Sequence, residues 1–205
     1  MNKISFVTFI NFIILLFFAS AHAYANPKTQ IAIFAGGCFW CMEADFEQLQ
    51  KENDGILSVV AGYDGGNIQN PTYELVSSGK TNYVESVMIK YNPEKIKYIT
   101  LVKYFFLHID PTVKDRQFCD IGKEYKSAIF YVNQYQQKIA KLILNEAAHK
   151  LQKPIYTDIL PSTKFYEAEN YHQNYAAKNP LRYKFYRWNC ERDQTLEKVW
   201  GNQTI

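Results

Sequence analysis

The stretch "QIAIFAGGCFWCMEADF", Gln30–Phe46, decides how this chain is read. Gln30 to Ala35 has the character of a buried strand, Gly36-Gly37 breaks it, and the spacing Met42, Phe46, Leu49 then follows a helical period. The unit is strand, glycine turn, helix, with Cys38 and Cys41 in the first helical turn. A cysteine there meets unpaired backbone N–H groups and the positive end of the helix dipole, so its thiolate is favoured and its pKa falls. Cys38 is therefore the expected nucleophile, and Cys41, one turn later on the same face, is within its reach. The residues alone leave four readings: a local disulfide, half of a zinc site, a thioredoxin-type dithiol, or one nucleophile with a neighbouring thiol. Closing so short a loop gains little entropy, which weighs against a staple. Cys119 and Cys190 form no second close pair, so no metal site is expected.

Outward from this unit, strands and helices alternate. "GILSVVAGY" (55–63) reads as a second strand, and "DGGNIQNPTYE" (64–74) as a loop entering a short helix near Pro71. In "NYVESVMIKY" (82–91), Tyr83, Glu85, Val87, Ile89 and Tyr91 share one face of a strand. Glu85 thus stands with the strongly apolar set, where desolvation raises a carboxyl pKa and lets it hold a proton near neutral pH. Its plainer reading is an edge carboxylate paired to a lysine. "NPEKIKYITLVKYFFLHID" (92–110) carries an Asn cap, a first-turn proline and an apolar face, and so predicts a helix on the sheet. A long polar connection (111–125) follows, of the kind that more often carries function. Then come a strand (125–132), an amphipathic helix (134–151), a strand (155–160) and a short helix within 167–180. The expected fold class is α+β, a single-domain two-layer sandwich of a mixed sheet with packed helices.

The 205 residues carry a formal charge of +3, with 47% apolar residues, which suits one globular domain. No basic stripe points to nucleic acid. The 16 Tyr and 14 Phe favour pockets where a ring packs and a hydroxyl stays bonded. Residues 1–25 read as a secretory signal: Lys3, an apolar run through Phe18, then Ala21-His22-Ala23 and Ala23-Tyr24-Ala25 as cleavage motifs. An uncleaved membrane anchor is the alternative. The remaining 26–205 form the expected domain, placed by this leader in an exported, periplasmic or extracellular compartment. There the four cysteines are free to pair, in any of three connectivities, although a domain of about 180 residues needs no staple to fold. His108 and His149 have no metal-ligand spacing, and His172 reads as a structural, solvated or hydrogen-bonded histidine rather than a base.

The segments "GGCFWCME", "GYDGGNIQNPTYELVSSGKTNYVESVMIKYNP", "HIDPTVKDRQFCDIGKEYKSAIFY" and "FYEAENYHQNYAAKNP" together resemble the A-type peptide-methionine sulfoxide reductases, which reduce the S epimer of methionine sulfoxide. The resemblance implies a ferredoxin-like core with extended loops. It implies that Cys38 attacks sulfur, that Glu85 protonates the sulfoxide oxygen and that Tyr73 and Tyr125 bind that oxygen. Phe39 and Trp40 would hold the methyl group, and Asp120 would support the site. It further implies a monomer with no bound cofactor, acting on oxidised proteins or free methionine sulfoxide and recycled by a thioredoxin-like reductant. Contact with a membrane is expected only through an uncleaved leader. An acid and two phenols beside one thiolate suit a sulfoxide, whose sulfur is a poor target until its oxygen is bonded.

The chain departs from the commonest family pattern at the recycling thiol. Many relatives carry glycine where Cys41 stands and keep recycling cysteines in a glycine-rich tail. Here "LRYKFYRWNCERDQTLEKVWG" (181–201) is aromatic and charged. Cys190 is the favoured resolving thiol, with Cys41 and Cys119 as alternatives, and a permanent Cys119–Cys190 bridge stays open. Two rival functions remain: a thioredoxin-like thiol-disulfide oxidoreductase using Cys38 and Cys41, and an exported binding module with structural disulfides.

Overall fold

The computed structural model describes residues 29–201; the leader read over 1–25 lies outside them. Along the chain the elements are β1 (Gln30–Gly36), α1 (Phe39–Glu52), β2 (Ile56–Asp64), α2 (Tyr73–Ser77), β3 (Val84–Tyr91), α3 (Tyr98–Leu107), β4 (Arg116–Gln117) and β5 (Asp120–Ile121). They continue with β6 (Ser127–Tyr131), α4 (Gln134–Leu151), β7 (Asp158–Pro161), β8 (Tyr166–Glu167), α5 (Tyr175–Lys178), α6 (Pro180–Asn189) and α7 (Arg192–Trp200).

The main sheet has the order β7-β6-β1-β3-β2-β8. Its four middle strands are antiparallel neighbours, β1 pairing with both β3 and β6, and β2 with β3. With α1 between β1 and β2, and α3 between β3 and β6, this is a βαββαβ ferredoxin-like core. Helix α4 makes the crossover that a parallel strand requires and lays β7 beside β6. The fold is therefore the expected α+β sandwich.

The strand parity places the core. Val87, Ile89 and Tyr91 of β3 join Phe34 of β1 and the inner faces of α1 and α3 in one large buried cluster. Phe34 sits at its centre, with ring centroids 5.4 Å from Phe46, 5.0 Å from Phe105 and 6.2 Å from Tyr98. The other face holds a smaller cluster of Ile33, Ala35, Val84, Ala128 and Phe130.

Two segments differ from the sequence reading, and the tail left without assigned elements takes a definite form. The helix expected from Asn92 begins only at Tyr98, because Asn92 spends its capping groups on a tight turn. Its Oδ1 accepts from the Glu94 N–H at 2.9 Å and its carbonyl from Lys95 and Ile96. The short helix expected near Pro71 starts at Tyr73, where the Thr72 hydroxyl accepts from the Leu75 N–H. The charged aromatic tail forms two helices, α6 and α7, that fold back onto α1. Proline at the first turn of α6 suits its start.

Phe34→Ala should remove the ring on which three others stack and lower stability by about 3–5 kcal/mol. Urea unfolding followed by near-ultraviolet circular dichroism measures this, and a change below about 1 kcal/mol would contradict the packing described.

Candidate active site

The glycine turn sets the geometry. Gly37 has φ +81°, and a Cβ there would stand 2.5 Å from Cβ of Gln117, so only glycine fits the turn. The chain then enters α1 with Cys38 at the N-cap, where its side chain makes no capping bond and its carbonyl accepts from the Cys41 N–H at 3.1 Å. The first N–H of the helix, that of Phe39, donates instead to Oε2 of Glu85 at 3.0 Å. Strand β3 thus delivers a buried carboxyl beneath the opening of α1. Eight residues line one cavity of about 140 Å³: Cys38, Phe39, Trp40, Tyr73, Glu85, Asp120, Tyr125 and Tyr186. Seven of them are the catalytic and pocket residues expected from the sequence.

The electrostatics follow from burial. Desolvation pushes the Glu85 carboxyl up to about 8, against the lowering effect of the Phe39 N–H, so it is protonated at neutral pH. Desolvation and the neighbouring Glu85 push the Tyr73 phenol up to about 12, and the same two causes raise Tyr125. Both phenols therefore stay donors. Burial also raises Asp120, while the Tyr186 hydroxyl donates to its Oδ2 at 2.6 Å and draws it back.

The thiol pair corrects the sequence reading of Cys38. Burial pushes Cys38 up, and its hydrogen bond with Cys41 adds to the shift. Cys41 moves down, first through that bond and then through Arg192 and Arg187, against its own burial. The helix-opening N–H that would have favoured a Cys38 anion is taken by Glu85. The two buried thiols therefore titrate as a coupled pair, with Cys41 shifted down and Cys38 up.

Cys38 and Cys41 are free and buried, whereas Cys119 and Cys190 form a disulfide with Cα atoms 4.9 Å apart. The sulfurs of Cys119 and Cys190 and a carboxylate oxygen of Asp120 lie within 4.8 Å of one another, but the two sulfurs are bonded together. Asp120 therefore touches the disulfide on one side and the cavity on the other.

Tyr186 and Glu169 escaped the sequence reading, whereas His172 is expected from it as a solvated or hydrogen-bonded structural histidine. Tyr186 reaches the cavity from α6, and its only signal was the aromatic density of the tail. Glu169 accepts from the Tyr73 N–H at 2.8 Å and the Tyr63 hydroxyl at 2.8 Å, and so fixes the start of α2. His172 is buried, and its Nδ1 accepts from the Trp40 indole N–H at 3.0 Å. Desolvation lowers its pKa, so it is a neutral structural support. Trp40 is held from its other side by Tyr175, stacked at 3.7 Å.

A free thiol, a neutral acid and two phenols around one small cavity define a thiol-based reductase working on a small polar group. A family model described as peptide methionine sulfoxide reductase matches residues 30–204. The chain is similar to peptide methionine sulfoxide reductase MsrA 2 of Caulobacter vibrioides, 45% identical over 89% of this chain and 91% of the relative. It is 42% identical to the MsrA/MsrB protein of Vibrio cholerae over 86% of this chain, a match spanning 46% of that relative's length. Among solved structures it resembles reduced Mxr1 from Saccharomyces cerevisiae, with a TM-score of 0.71 and 32% identity over 77% of this chain and 89% of that one. The chain belongs to the peptide methionine sulfoxide reductase family, on its A-type branch. It is an enzyme that reduces methionine sulfoxide.

A protonated carboxyl in this cavity should show as an infrared carbonyl stretch that persists to about pH 8 and is missing in Glu85→Gln. Loss of the band by about pH 5, near the ordinary glutamate value, would mean that the carboxyl is solvated.

Proposed function

We propose that the enzyme reduces the S epimer of methionine sulfoxide, protein-bound or free, with Cys38 as nucleophile, Glu85 as general acid and Cys41 as partner thiol. The observation that carries this reading is the single cavity in which the Cys38 thiol, the Glu85 carboxyl and the Tyr73–Tyr125 phenol pair meet. The sulfoxide oxygen accepts hydrogen bonds from the phenols and the proton of Glu85, which makes its sulfur electrophilic. The methyl group lies against Phe39 and Trp40, the apolar part of the wall.

The protons and electrons balance without an outside group. When the pair has lost one proton, the remaining one passes from Cys38 to Cys41. The Cys38 thiolate attacks sulfur, and Glu85 gives its proton to the oxygen, which leaves as hydroxide. The hydroxide then adds to the Cys38 sulfur, the bond between the two sulfurs breaks, and methionine departs from a Cys38 sulfenic acid. The Cys41 thiol then attacks the Cys38 sulfur, and the S–O bond breaks. Water leaves with the thiol proton, and a Cys38–Cys41 disulfide remains. The pairing of Cys190 with Cys119 supports Cys41, rather than the favoured Cys190, as resolving thiol. A dithiol protein of thioredoxin type would then restore the pair, and the monomer needs no resident cofactor. Membership of the reductase family sets aside the binding module and the thioredoxin-like protein. The leader-like segment, residues 1–25, supports action in an exported compartment.

Cys38→Ser should abolish reduction of an S-sulfoxide substrate in a single-turnover assay, and retained turnover would refute the assignment. Glu85 is active while protonated, so the rate should hold through neutral pH and fall as pH rises past about 8. Glu85→Gln should slow the step by roughly 10² to 10⁴ and lose that alkaline fall. An unchanged rate in this variant removes Glu85 from the chemistry.

A further inference from the structure

Behind the catalytic pair, the C-terminal helices place a charged cluster that the scheme above does not use. Arg192, the first residue of α7, is 2% exposed. Its guanidinium donates to the carbonyls of Gly36 at 3.4 Å and His108 at 2.8 Å, and contacts Met42 Sδ at 3.1 Å and Asp45 Oδ2 at 3.2 Å. One side chain therefore binds the glycine turn before Cys38 and the helical turns that follow Cys41. Burying a guanidinium is unfavourable unless anionic and polar groups surround it. Among the described residues the one carboxylate that meets it, Asp45, is shared with Arg187 at 2.8 Å. Arg192 also keeps a buried Nε–H without an acceptor.

The placement is fixed from the other side. Cys190 stands two residues before Arg192 and is bonded to Cys119. Phe118, next to Cys119, lays its ring 4.4 Å from the Arg192 guanidinium carbon. The pairs Cys119/Cys190 and Phe118/Arg192 thus sit side by side and anchor α7 to the loop that carries Asp120.

We propose that Arg192 is a positioning residue for sulfoxide reduction, its guanidinium holding the glycine turn that presents Cys38 and setting a buried cation beside the helical turn that carries Cys41. This rests on the reading of Cys41 as partner thiol. The groups facing Cys41 are Cys38 at the N-cap, Asp45 on α1, Glu85 on β3, Tyr183, Tyr186 and Arg187 on α6, and Arg192 on α7. Burial and Asp45 raise the Cys41 pKa; the bond to Cys38, Arg192 and Arg187 lower it and prevail. A cation that stabilises one protonation state, unlike a structural strut, must alter the pH profile.

The test is single-turnover reduction of free methionine S-sulfoxide between about pH 5 and 9, with Cys38 and Cys41 reduced and the Cys119–Cys190 bond intact. The wild-type rate should persist well below the ordinary thiol pKa of about 8.5. Arg192→Gln should move the acid limb upward, so that the ratio of variant to wild-type rate rises about tenfold for each pH unit up to the shifted limb. Arg192→Lys, which keeps a cation, should restore most of the wild-type limb. A ratio that is flat with pH in both variants would reduce Arg192 to a strut and overturn the proposal. If Arg192→Gln does not fold, the wild-type profile decides, and an acid limb at the ordinary thiol value overturns it. Cys41→Ser tests the underlying reading separately. Peptide mapping after one turnover should find no disulfide at Cys38, and a disulfide formed there at the wild-type rate would discard Cys41 as partner whatever the arginine variants do.

Discussion

The hydrogen bond from the Phe39 N–H to the Glu85 carboxyl joins the two halves of the site. It ties the third strand of the core to the opening of the helix that carries both free cysteines, across 46 residues of sequence. A buried carboxyl without a partner would destabilise the fold, and a helix opening without an acceptor would leave donors unsatisfied. Each supplies what the other lacks. The bond also serves the chemistry, because the positive end of the helix dipole stabilises the charge that Glu85 acquires when it gives up its proton. The helix opening therefore favours the acid more than the nucleophile.

Around that bond, aromatic rings define the volume in which a sulfoxide can fit. Phe39 lies 4.9 Å from the His172 ring and Trp40 is clamped between His172 and Tyr175. The apolar wall is thus built from residues fixed by stacking, while Tyr73 and Tyr125 face it with hydroxyls that burial keeps protonated. Such a cavity is polar on one side only, and it discriminates a sulfoxide from a thioether by the oxygen alone.

The cysteines divide by location. Cys38 lines the cavity, and Cys41, also free and buried, stands one helical turn behind it. Cys119 and Cys190 join the β4–β5 loop to the junction of α6 and α7, so one covalent bond secures Asp120, Tyr186 and Arg192 relative to the site. In a domain that can stabilise itself by its core, such a bond acts on local geometry more than on global stability.

Much was legible from local pattern, because period and parity are properties of consecutive residues. The strand, glycine turn and helix at Gln30–Phe46, the apolar parity of Glu85 and the bounds of α4 all follow from neighbours a few residues apart. The start of α3 did not, since Asn92 had a choice between capping a turn and capping a helix. Nor did the protonation of Cys38, the pairing of Cys119 with Cys190, or the reach of Tyr186 and Arg192 into the site. Those depend on burial and on which distant groups compete for a given N–H or charge, and only the folded chain brings those competitors together.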